Sequence, residues 1–281
     1  SKNGSVSAAP FEVASSRRKR IIAYAILAVI VIAVLLPILS FIPVALAENY
    51  PLDMGFSFDR FSEVMGEKDG WQFLGNSVLV ALLVATIGTL CAFFCAYLTA
   101  RIKSPVSAVL NLLAITSLAI PGIVLGLSYV LFFRSSFLYG TFAILVLVNI
   151  IHFFASPYLM VYNSLGKLPA ELETVGATLG IGKFRLLRDV IAPQVKGTLL
   201  EMFSYFFINS MMTISAVSFL TTIDTDLFAL MLPKFDASQT SLAPPAIVAL
   251  IILLVNLLMK GAISLLKHLL GKRRTKSRTA A

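Results

Sequence analysis

Few side chains in this chain could do chemistry. His152 and His268 are its only histidines, and Cys91 and Cys95 its only cysteines. The cysteines stand four apart inside an apolar run, so they share a helix face and read as small apolar side chains; the sequence places no partner for redox or metal chemistry beside them. Gly182-Lys183 is not a nucleotide-binding loop, because Ala177 stands where its first glycine would be and Phe184 follows the lysine. No catalytic constellation emerges. What remains are polar residues set in apolar surroundings, which are costly there and so candidates for function. Asn149, His152 and Ser156 fall at i, i+3, i+7, on one helical face. Asn209 and Thr213 are one turn apart, with Ser210, Ser215 and Ser218 nearby, and Asn111, Thr116, Ser117 and Asn256 complete the set. They either bond across helices and pack a bundle, or line a path for a solute; for the second role the candidates are Asn149, His152, Asn209 and Thr213.

The elements that position these residues follow from composition. Of 281 residues 58% are apolar and 13% charged, with a mean hydropathy of +0.90. A soluble protein of this length could not hide that much apolar surface, so the bilayer sorts the chain. A crossing helix needs about 20 apolar residues. Six stretches qualify: 21–47, 73–100, 106–133, 141–165, 195–220 and 243–267. No strand-like alternation of a barrel is present. The first stretch follows RRKR and is too long for a signal-peptide core; Pro37 and Pro43 are expected to kink or end it. The expected architecture is an all-α membrane protein of six spans. Its divisions are a polar tail or linker over 1–20, a membrane domain over 21–270 and a basic tail over 271–281. The small polar opening SKNGSVSAAPFEVASS suggests a processed chain or the second half of a longer polypeptide.

Basic residues set the orientation. With the N-terminus inside, the inside segments hold Arg17, Arg18, Lys19 and Arg20, then Arg101 and Lys103, then Lys167, Lys183, Arg185 and Arg188, then KRRTKSR. The outside segments hold only Arg60, Lys68, Arg134 and Lys234. Both termini are therefore expected in the cytoplasm. The net charge of +9 reports this bias and not nucleic-acid binding. The first outside loop reads as a short amphipathic helix, with Trp71 and Phe73 at the interface. In the third span, Pro121 frees a carbonyl and Gly122 and Gly126 allow close helix approach, as a packing notch or as a flexible part of a path. Glu201 lies about 12 Å along its helix from Pro193, near the inner boundary, where Lys196 or a neighbouring helix would satisfy it.

Between the fourth and fifth spans runs ETVGATLGIGKFRLLRDVIAP, residues 173–193. Pro169 is placed to start a helix, with Glu171 and Glu173 in its first turn. Gly176, Gly180 and Gly182 interrupt it. A second helical piece puts Phe184, Leu187 and Ile191 on one side, and Pro193 starts the next helix. The result is a helix–bend–helix element, suited to lying on a membrane surface or to docking in a groove on another protein; the glycine-marked bend favours docking.

At these residues the chain resembles the permease subunits of binding-protein-dependent ABC importers. Their signature is Glu-Ala-Ala, three residues, Gly, nine residues, Ile, one residue, Leu-Pro. Here Gly180, Val190 and Pro193 keep the spacing, Ala192 replaces the leucine, and Thr174-Val175-Gly176 stands at Glu-Ala-Ala with Glu173 one place early. The resemblance covers 21–270 and implies a type I permease fold. It makes 169–193 a coupling segment for an ABC ATPase dimer, through Glu173, Thr174, Val175, Gly176, Gly180, Phe184, Leu187, Val190 and Pro193. It also implies a second permease half, an external binding protein, ATP and Mg bound on the ATPase, no cofactor or metal on this chain, and a place in the inner (plasma) membrane. MMTISAVSFLTT resembles the ferric-iron and 2-aminoethylphosphonate branch, which implies one of those solutes; spermidine or putrescine, sulfate and molybdate are alternatives. A secondary transporter fits less well, lacking buried coupling charges and an obvious inverted repeat.

Overall fold

The computed structural model describes residues 17–50, 52–67, 69–102, 104–235 and 242–279, with side chains beyond 270 undescribed. Residues 1–16 of the expected tail, together with Lys68 and Lys103, lie outside the described residues. Helix α1 (Arg17–Leu46) runs through both prolines into a two-stranded antiparallel hairpin, β1 (Ala47–Asn49) and β2 (Asp53–Phe56). Then come α2 (Asp59–Ser62), a wide turn over Glu63–Glu67, and α3 (Gly70–Arg101). The expected amphipathic helix of this loop is therefore mostly hairpin and turn. Its hydrophobic side still docks, as Phe61 packs edge-on to Trp71 at 6.4 Å.

Helices α4 (Pro105–Thr116) and α5 (Gly122–Phe133) occupy the expected third span, and α6 (Phe142–Phe153) and α7 (Ala155–Leu165) the fourth. Neither is a straight rod. The first pair bends by 111° across Pro121 and the second by 55° at Phe154. Proline explains both breaks. Pro121 cannot donate to the preceding turn, and Pro157 leaves the carbonyl of Phe153 without its helical N–H partner. At the second break the Ala155 N–H is released from the ladder and donates to Ser117 Oγ at 3.2 Å.

The segment after the fourth span contains α8 (Leu172–Thr178), α9 (Lys183–Leu186), a π turn over Leu187–Ile191 and α10 (Ala192–Gln194). Helix α11 (Lys196–Met212) stops short of the expected residue 220. The chain from 213 to 227 is irregular and leads through a 3-10 turn to α12 (Met231–Lys234) and finally α13 (Ala243–Thr279). Among the described residues three helices, α1, α3 and the Ala243–Leu270 part of α13, are each long and apolar enough to cross a membrane; counting each bent pair as one span gives five.

α3 is the spine of the bundle. Val80, Val84, Ala92 and Ala96 on its inner face are fully buried, and Gly88 admits the Phe206 ring so closely that a Cβ would meet it at 3.0 Å. Polar side chains knit the helices together. Tyr158 on α7 is fully buried, donates its hydroxyl to Asn111 on α4 and lies 2.8 Å from Thr99 Oγ1 on α3. Ser164 and Thr198 join α7 to α11 at 2.8 Å. Glu201 on α11 pairs with Lys267 and, at 2.9 Å, with Lys260, both on α13. The neighbouring helix thus satisfies the acid, and Lys196 instead reaches the Leu270 carbonyl at 3.5 Å.

Candidate functional site

Two features draw together the residues singled out from sequence. The first is the bent segment. α8 ends because Gly180 turns left-handed, at φ +68°. The Ile181 N–H then bonds the Gly176 carbonyl at 2.8 Å and the Gly180 N–H the Ala177 carbonyl at 3.1 Å, the two bonds of a Schellman ending. Past the bend, the arms touch where Gly176 is buried against Leu186: a Cβ there would lie 3.1 Å from a Leu186 methyl. So Gly180 makes the turn and Gly176 lets it close.

The faces of this element differ from expectation at one residue. Leu187 and Ile191 are buried, together with Leu186, but Phe184 is 69% exposed. Phe184 precedes Leu186 by two residues, about 200° around a helix, so it stands opposite the side that Leu186 turns to Gly176. The outward surface therefore carries the exposed apolar side chains Val175, Leu179 and Phe184, with Thr174, Lys183 and Arg185 exposed beside them. Val190 is half-buried and Pro193 exposed. Glu173 faces inward, its carboxylate 3.2 Å from Arg101 Nε at the end of α3. Sequence reasoning used Arg101 only as a sign of orientation. The signal for its role is its place as the last residue of a long apolar helix, a turn's reach from an acidic helix start.

The second feature is a polar seam inside the bundle. Asn149 is fully buried and donates to the Leu145 carbonyl at 2.8 Å, leaving its Oδ1 without a partner among the described residues. His152, one turn on, and Ser215 flank Gly122: a Cβ built there would meet the imidazole at 3.0 Å and the Ser215 hydroxyl at 2.5 Å. Gly126, one turn later, abuts the Ala216 backbone. Gly126 thus packs against the irregular 213–227 stretch, and Gly122 against both that stretch and α6. Asn209 bonds its own turn, at the Tyr205 carbonyl, and Thr213, buried, lies one residue past the end of α11. Thr213 is the C-cap of α11, one turn on from Asn209, and the chain turns extended there. The 55° bend separates Ser156 from the face of Asn149 and His152.

The irregular stretch is held at its far side by the start of α3. Asn76 Nδ2 donates to the carbonyls of Asp224 and Asp226 at 3.0 Å each, and Ser77 Oγ accepts from the Phe228 N–H at 2.8 Å. Buried Asp226 pairs with Lys234. Irregular backbone within an apolar bundle is stable only when protein covers it or it lines a polar cavity, so this stretch and the broken helices facing it form the bundle's unusual region.

Apolar helices, two of them broken, around a buried polar seam, with a bent apolar-faced element at one end, define a membrane transport subunit of the ABC permease fold. The chain belongs to the family described as binding-protein-dependent transport system inner membrane component, which it matches over residues 88–272. Over 182 residues it is 26% identical to the ferric transport system permease protein FbpB of Actinobacillus pleuropneumoniae, covering 63% of this chain and 26% of that protein. It is also 26% identical over 185 residues to the putative ferric transport system permease protein FbpB 1 of Haemophilus influenzae, covering 64% of this chain and 29% of that protein. The chain thus spans less than a third of the length of these curated relatives. Among solved structures, a bacterial ABC transporter involved in the import of the acidic polysaccharide alginate superposes with a TM-score of 0.68 at 15% identity, over 92% of this chain and 99% of that one. The MetNI methionine ABC transporter in an inward-facing form gives 0.60 at 14% identity, over 76% and 99%. These two likenesses bear on the fold alone.

Proposed function

We propose that this chain is one half of the membrane pathway of an ATP-driven importer, with both termini cytoplasmic and its bent segment seated in a groove of a separate ATPase. The observation that carries the proposal is the exposed apolar trio Val175, Leu179 and Phe184, displayed on a rigid bend. Apolar side chains displayed on a bent element between two spans fit a partner's groove. ATP and Mg belong to that partner. A second permease half completes the path, an external binding protein delivers the solute, and the Asn149–His152–Ser215 region, with Asn209 and Thr213 beside it, lines the route. Ferric iron is the favoured cargo, on the names of the two curated relatives; neither of those names supports the 2-aminoethylphosphonate alternative.

The test is co-purification of the permease with its cognate ATPase from membranes, followed by uptake of ferric iron and of 2-aminoethylphosphonate with the cognate binding protein. Phe184→Glu and Leu179→Asp should insert normally and shed the ATPase. Retention of the ATPase by both variants would refute the docking assignment. Uptake of the phosphonate in place of iron would refute the cargo.

A further inference from the structure

The end of α3 meets the bent segment through one side chain. The Arg101 guanidinium makes three contacts there: Nε lies 3.2 Å from Glu173 Oε1, Nη2 donates to the Pro169 carbonyl at 3.2 Å and Nη1 to the Leu168 carbonyl at 3.5 Å. It therefore grips both the lead-in to α8 and the first turn of α8. The Arg101 side chain is 9% exposed and that of Glu173 is 28% exposed, so the pair is shielded from water where an ion pair is strong and the loss of one partner is costly. Glu171 at the head of α8 makes no side-chain cap. The planar five-donor guanidinium suits this multiple contact as an ammonium does not.

The surroundings isolate the contact. Beside it lies a cavity of about 420 Å³, lined by Tyr97, Leu98, Ile102, Ala177 and Phe184 along with the ion pair. On that side α8 and α3 are not close-packed. The other ion pair on the segment, Arg188 with Asp189 at 3.8 Å, is local and exposed and joins nothing to the bundle. α3, in turn, is the buried spine against which α11 and α7 pack.

We propose that Arg101 is a positioning residue that transmits displacement of the bent segment to α3, and that Glu173 serves as its partner within the chain instead of contacting a second protein. This rests on the docking reading above. A rigid guanidinium strut across an open gap lets α8 carry α3 with it, while the cavity leaves room for the outward arm, with Phe184, to adjust in the partner's groove.

The experiment uses the full complex in proteoliposomes, with solute uptake and ATP hydrolysis measured on the same samples. Arg101→Ala should retain the ATPase and its hydrolysis while uptake per ATP falls about tenfold, a typical coupling magnitude. Arg101→Lys, which keeps the charge and loses the fork, should fall between. Glu173→Gln should lower the same ratio and add nothing further in the Arg101→Ala background, because the two act as one unit. The reversed pair, Arg101→Glu with Glu173→Arg, should recover part of the ratio, which loss of a merely structural side chain would not allow. Additive effects of Arg101→Ala and Glu173→Gln, or full uptake per ATP in Arg101→Ala, would overturn the strut. Should Arg101→Ala fail to insert, Arg101→Lys and Glu173→Gln carry the test, since Glu173→Gln leaves both carbonyl contacts in place. The two proposals fail separately. If Phe184→Glu and Leu179→Asp both keep the ATPase, docking is wrong; if they shed it but Arg101→Ala couples normally, docking stands and the strut falls.

Discussion

A Cβ atom on Gly126 would lie 2.6 Å from the carbonyl oxygen of Ala216. No real Cβ sits that close to a backbone oxygen, so α5 and the irregular 213–227 stretch can meet here only because residue 126 has no side chain. Gly122, one turn earlier, meets Ser215 and His152 in the same way. The seam joins two non-helical or broken pieces of the bundle, which is where a moving pathway would part.

Gly126→Val should therefore force the seam open. Overpacking costs about 1–3 kcal/mol, so the variant should insert with a lowered melting temperature in detergent and lose solute uptake. Gly197→Ala, at a glycine with open space around the position of a Cβ, is the control and should behave as wild type in both measurements.

Asn209→Ala and Thr213→Val address the route itself. If these groups face the solute, uptake and solute-stimulated ATP hydrolysis fall while insertion stays normal. Wild-type levels of both in the double variant would remove these residues from the pathway. Since Asn209 already satisfies its amide on Tyr205, Thr213→Val is expected to have the larger effect.

Tyr158→Phe tests the packing network. Its hydroxyl serves both Asn111 and Thr99 from a fully buried site. Removing it strands Asn111 Oδ1, at a cost of about 1–3 kcal/mol, while Thr99 keeps its bond to the Cys95 carbonyl. Thermal unfolding should shift down accordingly, with uptake per folded molecule preserved.

Glu201→Gln should do far less. The carboxylate is 38% exposed even though two lysines of α13 reach it, and such solvent-accessible pairs contribute about 0–1 kcal/mol. A melting shift as large as that of Tyr158→Phe would mean that the pairing is shielded by a partner or by lipid.

Much of the architecture was legible because hydropathy obeys one simple constraint: about 20 apolar residues are needed to cross hydrocarbon. The helices at 17–46, 70–101 and 243–270 stand close to where the apolar runs placed them. The bend at Gly180 was legible too, since a left-handed residue closing a helix is most easily glycine. The outward placement of Phe184 is not legible from a helical period, which does not say that Leu186 is the side chain turned against Gly176 on the other arm. The end of the fifth span at Met212 is not legible, because apolar residues at 213–220 look alike whether helical or irregular. The breaks at Pro121 and Phe154 had proline signals, but their angles did not, since proline removes a bond without saying which neighbour takes up the freed groups.

By itself, then, the sequence determined that the chain lives in a membrane, about where its long helices lie, and that a glycine-bent element separates two apolar blocks, because each depends only on local composition and backbone chemistry. Only the tertiary structure decided that Gly122 and Gly126 face Ser215 and Ala216, that Glu201 answers to α13 and that Glu173 turns inward to Arg101. Those pairings join residues far apart in the chain. They are set by which surfaces the packed helices bring within a few ångströms, a quantity that no local pattern encodes.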